Sequence, residues 1–313
     1  MSDAVGPHGG LEDRVMNGAS AKTAFVLAGG GSLGAVQVGM LRSLVAAGVR
    51  PDFIVGSSVG AMNACYFAGA PNAEGVERLA RIWLGLCRSD IFPFTFGMAL
   101  GLLRHANYLV DPSSLRALIE RHLPFIALQE AKLPVHIVAT DMQGVAVTLS
   151  QGSAVEAIMA SAAVPGIFPT VEVAGAPLMD GAVAANTPLW LAMTLGASRI
   201  IVLPTGYACA LEKPPASAVA RGLHAITLLI AWQLIRDLER LPQEVDVHLA
   251  PALCPLNVSP YDFSRSGELI SRATAACQEW IAKGGLTRRA SPTDLAPHHH
   301  QPAAVASCRG ATA

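Results

Sequence analysis

Two stretches of this chain combine residue types and spacings that could do chemistry. In Gly56-Ser57-Ser58-Val59-Gly60 a serine stands between glycines two residues away on either side. Phe53-Ile54-Val55 before it suits a buried strand, and Ala61 to Tyr66 after it suits a helix. Ser58 would then occupy a sharp strand-to-helix turn, the setting of a nucleophile that attacks a carbonyl carbon. Upstream, Gly29-Gly30-Gly31-Ser32-Leu33-Gly34 follows another apolar strand and opens a helix. Such a run offers bare backbone N–H groups beside the positive end of the helix dipole, which suits a phosphate or an oxyanion. Neighbouring parallel strands would bring both stretches to one edge of a sheet, with the N–H groups of Gly29, Gly30 and Gly31 facing the carbonyl that Ser58 attacks.

A serine needs a base. The order Ser58, Asp180, then His224 or His248 is that of a hydrolase triad, but there the nucleophile normally follows several strands rather than one. His224 falls in an apolar helical stretch and His248 in a strand, where structural roles are the ordinary ones; His105 and His122 have no partner pattern. That leaves a carboxylate. Asp180, in Pro177-Leu178-Met179-Asp180-Gly181, closes a short apolar segment. An apolar pocket would raise its pKa and make it a better base. A different reading comes from Gly29, Gly31 and Gly34, which match the dinucleotide pattern G-x-G-x-x-G and would serve a non-hydrolytic nucleotide-binding module. That pattern wants an acid closing the second strand, whereas here Asp52 precedes that strand.

The elements that must position these residues are legible as an α/β pattern. Thr23–Ala28 and Phe53–Val55 are strands linked by a helix over 35–47 that Gly48 closes, so the sequence predicts a β-α-β-α unit with a parallel sheet. Helices follow over 72–88, from Asp111-Pro112 to His122, from Ser153 to Ala163, from an Asn186-Thr187 cap to Leu195, over 218–241 and over 264–282. Strands are expected at 135–140, 145–149, 199–203 and 245–249. Val164-Pro165-Gly166-Ile167-Phe168-Pro169 breaks a helix and suits a pocket wall.

The 313 residues, 52% hydrophobic, can bury a large core. A net charge of −1 supplies no basic face for nucleic acid. The six scattered cysteines read as reduced thiols of a cytoplasmic protein, and the first residues lack the apolar core of a secretory signal. Ile91–Leu103 and Leu223–Ile235 are both too short to span a bilayer, which takes about 20 apolar residues. The first, with Phe92, Phe94 and Phe96, suits a lid, an acyl-chain wall or a lipid contact; the second suits the core. The expected organisation is a lead without structure over 1–21, one domain over 22–283 with a lid segment at 89–110, and a tail without structure over 284–313.

The glycine run, the G-x-S-x-G serine and the later Asp180-Gly181-Ala182, together with Ala139-Thr140-Asp141 and Pro165-Gly166-Ile167-Phe168-Pro169, resemble the patatin-like phospholipase family in order and interval. The resemblance covers residues 23–205. It implies a three-layer α/β fold with a mainly parallel central sheet flanked by helices. It also implies a Ser–Asp dyad, with Ser58 as nucleophile, Asp180 as general base and the N–H groups of Gly29, Gly30 and Gly31 as the oxyanion hole. Gly34, Gly56, Gly60 and Gly181 would shape the motifs. Leu33 stands where many members carry Arg or Lys. The implied substrates are acyl esters of lipids, cleaved as by a phospholipase A or lysophospholipase without metal or cofactor, with peripheral membrane contact as an expectation. Transfer of the acyl group to another alcohol or thiol would use the same elbow.

Overall fold

The computed structural model describes residues 21–92, 108–206, 218–256 and 258–295. The lead up to Ser20, most of the expected lid segment and the tail beyond Leu295 lie outside them.

The chain enters through β1 (Lys22–Leu27), passes a 3-10 turn over Gly31–Gly34 into α1 (Ala35–Ala46), and returns through β2 (Phe53–Ser57) to α2 (Val59–Gly69). Next come α3 (Ala73–Gly85), a short turn α4 (Arg88–Ile91), α5 (Ser113–His122), β3 (Val135–Asp141), β4 (Ala146–Leu149) and α6 (Ala154–Ser161). The hairpin of β5 (Val171–Val173) and β6 (Ala176–Asp180) leads to α7 (Ala182–Ala185), α8 (Leu189–Thr194) and β7 (Ala197–Leu203). Finally α9 (Ala218–Arg240), β8 (Asp246–Leu249) and α10 (Ser266–Ala282) complete the chain. The strands form one eight-stranded sheet in the order β5-β6-β3-β2-β1-β7-β8, with β4 added to β3. β3, β2, β1, β7 and β8 are mutually parallel; β4 and β6 pair antiparallel with β3, and β5 pairs antiparallel with β6.

Both faces of the parallel part are covered, which is why its strands read as unbroken apolar runs. Phe25 and Leu27 of β1 point into a core shared with α1, α2, α3 and α10; Ala24 and Val26 point into a second core with Leu189, Leu234 and Leu238. The result is a three-layer α/β fold with a mainly parallel sheet. Side chains cap α3 and α6: Asn72 accepts from the Gly75 N–H at 3.0 Å and Ser153 from the Glu156 N–H at 3.3 Å.

Four expectations need correction. Residues 284–295 carry structure: the Ala290 N–H donates to the Val247 carbonyl at 2.6 Å and Leu295 is buried, so this stretch covers the β8 side of the sheet. Leu223–Ile235 is not simply core. Leu234 and Ile235 are buried, but Ile226, Leu229 and Trp232 are exposed, because only the later turns of α9 pack on the sheet. Asn186 and Thr187 do not cap α8; Pro188 occupies its start, and Asn186 ends α7 and is drawn to the glycine run. Cys254 is disulfide-bonded, whereas Cys65, Cys87 and Cys277 are free thiols. Scattered spacing carries no information on pairing, so that bond has no local mark in the chain. Among the described residues no helix is long and apolar enough to cross a membrane.

Candidate active site

β2 ends at Ser57 and α2 begins at Val59, leaving Ser58 at φ 55° and ψ −126°. Such a conformation costs a non-glycine residue about 1–3 kcal/mol and persists only where its surroundings enforce it. The enforcement is visible. A Cβ on Gly56 would strike the Gly60 carbonyl, and one on Gly60 would strike the carbonyls of Leu27 and Ala28, so the helix can seat against the sheet only with glycine at both places. The Ser58 N–H donates to Ser161 Oγ at 2.8 Å, and Ser161 in turn donates to the Val138 carbonyl at 2.5 Å.

The acid reaches Ser58 through strand pairing. Ser57 lies opposite Val138 of β3, and Asp180 lies opposite the next residue, Ala139. β2 and the antiparallel β6 therefore end at consecutive positions of the same strand, which brings the serine and the acid together across 122 residues of sequence. Ser58 Oγ donates to Asp180 Oδ2 at 2.7 Å, and the Ala182 N–H donates to Oδ1 at 2.8 Å. The Asp180 backbone is fixed as well, its N–H to the Ala163 carbonyl at 3.0 Å and its carbonyl by Thr140 Oγ1 at 2.8 Å. The side chain is buried. Burial pushes its pKa up to about 6, against the hydrogen bonds from Ala182 and Ser58, which favour the anion. At neutral pH it is an anion, but a more basic one than a solvated aspartate. Gly181 sits under the site, where a Cβ would meet the Val138 carbonyl and Ser57 Oγ.

The glycine run borders Ser58: a Cβ on Gly29 would stand 3.1 Å from Ser58 Cβ. Its three expected donors are not equivalent. The Gly29 N–H donates to the Asn186 carbonyl at 3.1 Å, which removes it from the donor set. The N–H groups of Gly30 and Gly31 have no partner among the described residues. Gly31 has a φ of 59°, and a Cβ there would meet the Pro260 carbonyl. Thr205 Oγ1 pins the Gly29 carbonyl at 2.6 Å.

Beneath the run lies a buried polar chain that the sequence did not announce. Gln37 Nε2 donates to the carbonyls of Ala28 and Leu203 at 2.8 and 3.0 Å. Asn63 Nδ2 donates to the Gly34 carbonyl at 3.0 Å and to Gln37 Oε1 at 2.8 Å, and Trp83 Nε1 donates to Asn63 Oδ1 at 2.9 Å. One signal was available: Gln37 and Asn63 are isolated polar residues within otherwise apolar helical stretches. Ser161 and Asn186 offered no comparable sign. Asn186 Oδ1 is buried without a partner among the described residues, close to where a Gly29 Cβ would stand.

The other candidates fall away from this place. His248 is buried in β8, its Nδ1 3.1 Å from the Arg288 carbonyl and its Nε2 2.9 Å from an Asp246 carboxylate oxygen, three strands from β2. The His224 side chain and His105 lie outside the described residues. Asp52 accepts from the Thr23 N–H at 2.7 Å, at the start of β1 and the opposite edge of the sheet from the glycine run, so it cannot complete a dinucleotide site there.

Fold and site together define a three-layer α/β protein with an elbow serine hydrogen-bonded to a buried aspartate. The model of the family described as "Patatin-like phospholipase" matches residues 25–193, and the chain belongs to that family. It is 29% identical over 186 residues to the human Patatin-like phospholipase domain-containing protein 6, covering 58% of this chain and 13% of that protein. It is 26% identical over 185 residues to the Neuropathy target esterase of Drosophila melanogaster, covering 58% and 13%. With an uncharacterized NTE family protein of Mycobacterium bovis it shares 29% over 180 residues, covering 56% and 47%. The chain thus spans less than half the length of these relatives. Among solved structures, VipD from Legionella pneumophila aligns over 86% of this chain and 67% of its own, with 16% identity and a TM-score of 0.46.

Proposed function

We propose that this chain hydrolyses acyl esters of lipids through a Ser58–Asp180 dyad. The observation that carries the reading is the 2.7 Å hydrogen bond from the strained Ser58 hydroxyl to an aspartate whose pKa burial pushes up to about 6. Ser58 Oγ attacks the ester carbonyl while its proton passes to Asp180 Oδ2. Negative charge gathers on the carbonyl oxygen, where the N–H groups of Gly30 and Gly31 stabilise it. Asp180 returns the proton to the leaving alcohol, and water then attacks the acyl-enzyme with Asp180 again as base. Two relatives whose names include phospholipase or esterase, and the family itself, support a lipid ester as substrate.

An apolar surface suited to acyl chains adjoins the run. The Phe92 ring packs on Phe168, Tyr261 and Phe263 with centroids 5.8, 5.3 and 6.4 Å apart, and Ser32 is tied to the same region through the Ser259 and Pro260 carbonyls. Segment 93–107 lies outside the described residues; next to it, the Phe92 ring meets Phe168 and the N–H groups of Leu109 and Val110 both donate to the Ile167 carbonyl, so these described neighbours rest on the 164–169 bend. Exposed Ile226, Leu229 and Trp232 support contact with a lipid surface, since Gln233 of the same helix donates to the Ala184 carbonyl at 2.7 Å beside the site. The test is hydrolysis of p-nitrophenyl esters of rising chain length by the wild type, Ser58→Ala and Asp180→Asn, with folding checked by circular dichroism. Both variants should lose about 10³-fold or more in kcat while staying folded. Undiminished turnover in folded Asp180→Asn would remove the dyad.

A further inference from the structure

A cavity of about 330 Å³ lies between the C-terminal half of α2, α3 and the end of α5. Its described walls include Arg78, Arg81, Arg121, His122 and Tyr66, and no aspartate or glutamate. Tyr66 follows Ser58 by eight positions, about 12 Å along the axis of α2, so the cavity lies well away from the nucleophile.

Two independent features single it out. None of the three arginines forms an ion pair among the described residues, although acids stand nearby. Glu77 is taken by Arg42 in a paired contact at 2.7 and 2.9 Å, with Arg81 a weaker influence on its carboxyl, and Glu120 lies 3.8 Å from Arg116. None of these acids lines the cavity itself. Secondly, the Tyr66 side chain is 6% exposed, and its hydroxyl is buried with no hydrogen-bond partner among the described residues. A buried polar group left unpaired costs about 1–3 kcal/mol, so a ligand that pairs with it recovers binding energy.

We propose that this cavity binds the phosphate group of a small organic phosphate monoester. Three guanidinium groups match the charge and the several oxygens of a phosphoryl group, whereas a lone carboxylate needs only one. The Tyr66 hydroxyl and the His122 ring complete the donor set. The cavity falls at the lower end of the range for small-molecule sites, about 300–1,000 Å³. Leu79, Ile82 and Pro124 give it an apolar wall that a bare inorganic ion would not use.

The phosphate monoester can be a free metabolite or a lipid headgroup, and three probes separate the sources: inorganic phosphate, glycerol 3-phosphate, and dihexanoyl phosphatidic acid below its micellar concentration. Titration calorimetry on the full chain should show saturable binding of at least one organic ester, tighter than inorganic phosphate. Preference for glycerol 3-phosphate would assign a soluble ligand, and preference for the phosphatidic acid a headgroup. Arg78→Gln and Arg121→Gln should each weaken that binding by about tenfold or more. Tyr66→Phe should weaken it too while leaving the ligand-free Tm unchanged or raised, because it removes an unpaired buried hydroxyl. Absence of saturable binding by all three probes, or binding that these substitutions leave intact, would overturn the proposal.

Discussion

The two arms of the proposed Ser58–Asp180 pair are built in different ways. The nucleophile arm, β2 into α2, is local: five consecutive residues, Gly56 to Gly60, hold the turn, its strain and its close packing. The acid arm is assembled from a distance. Asp180 is placed by the pairing of β6 on β3, by the Ala163 carbonyl at the end of α6, and by Thr140. Ser161 joins the arms, accepting from the Ser58 N–H through its side chain and from the Gly181 N–H through its carbonyl. A strained residue thus needs a short, specific sequence, while a buried base needs a fold.

The largest expected effect sharpens the local side of that contrast. Gly60→Ala forces a Cβ against the carbonyls of Leu27 and Ala28, which are backbone and cannot turn aside. It should destabilise the protein by about 3 kcal/mol, as overpacking of a rigid site does, and the fall in midpoint on urea denaturation measures it. A midpoint equal to that of the wild type would mean that the elbow is not under steric control.

Asp180→Asn should act in the opposite direction on stability. The unfolded chain releases this proton near pH 3.9 and the folded one near 6. Below about pH 4 both states hold the proton and the group contributes nothing. As pH rises through 4 to 6 the unfolded state ionises first and stability falls, reaching a full cost of up to about 3 kcal/mol above pH 6. The variant should therefore melt above the wild type at pH 8, and the gap should close at pH 4. In the wild type kcat/KM should rise with pH and reach half its plateau near pH 6, where Asp180 becomes able to accept a proton. A variant less stable than wild type at pH 8 would show that the carboxylate is not held at a cost.

The smallest effect tests the link between the arms. Ser161→Ala leaves the Ser58 N–H without its acceptor and should cost about 1–3 kcal/mol of stability. Because the misplacement falls on the nucleophile, kcat should drop about tenfold with KM little changed. A loss confined to KM would place Ser161 with substrate rather than with Ser58.

The same contrast explains what could be read from the chain. The elbow and its glycines were legible because their constraints are contained in neighbouring residues. The parallel strands were legible as apolar runs, and α3 and α6 as helical stretches over 72–88 and 153–163. Asp180 was reached by elimination and by family resemblance, since its pairing across β3 leaves no local mark. Gly29 looked equivalent to Gly30 and Gly31 until the Asn186 carbonyl, itself misread as part of a helix cap, was found occupying its N–H. Residues 284–295 carry no local signal of structure, because their contacts with β8 depend on a strand about forty positions away.

The central claim is that Ser58 is nucleophilic because Asp180 accepts its proton, and the most direct measurement is covalent capture. The wild type and Asp180→Asn would be treated with a long-chain alkyl fluorophosphonate and the modified peptide identified by mass spectrometry. The account predicts a single adduct on Ser58, formed about 10³-fold or more slowly in Asp180→Asn. An adduct on another residue, or equal rates of labelling in the two proteins, would contradict it.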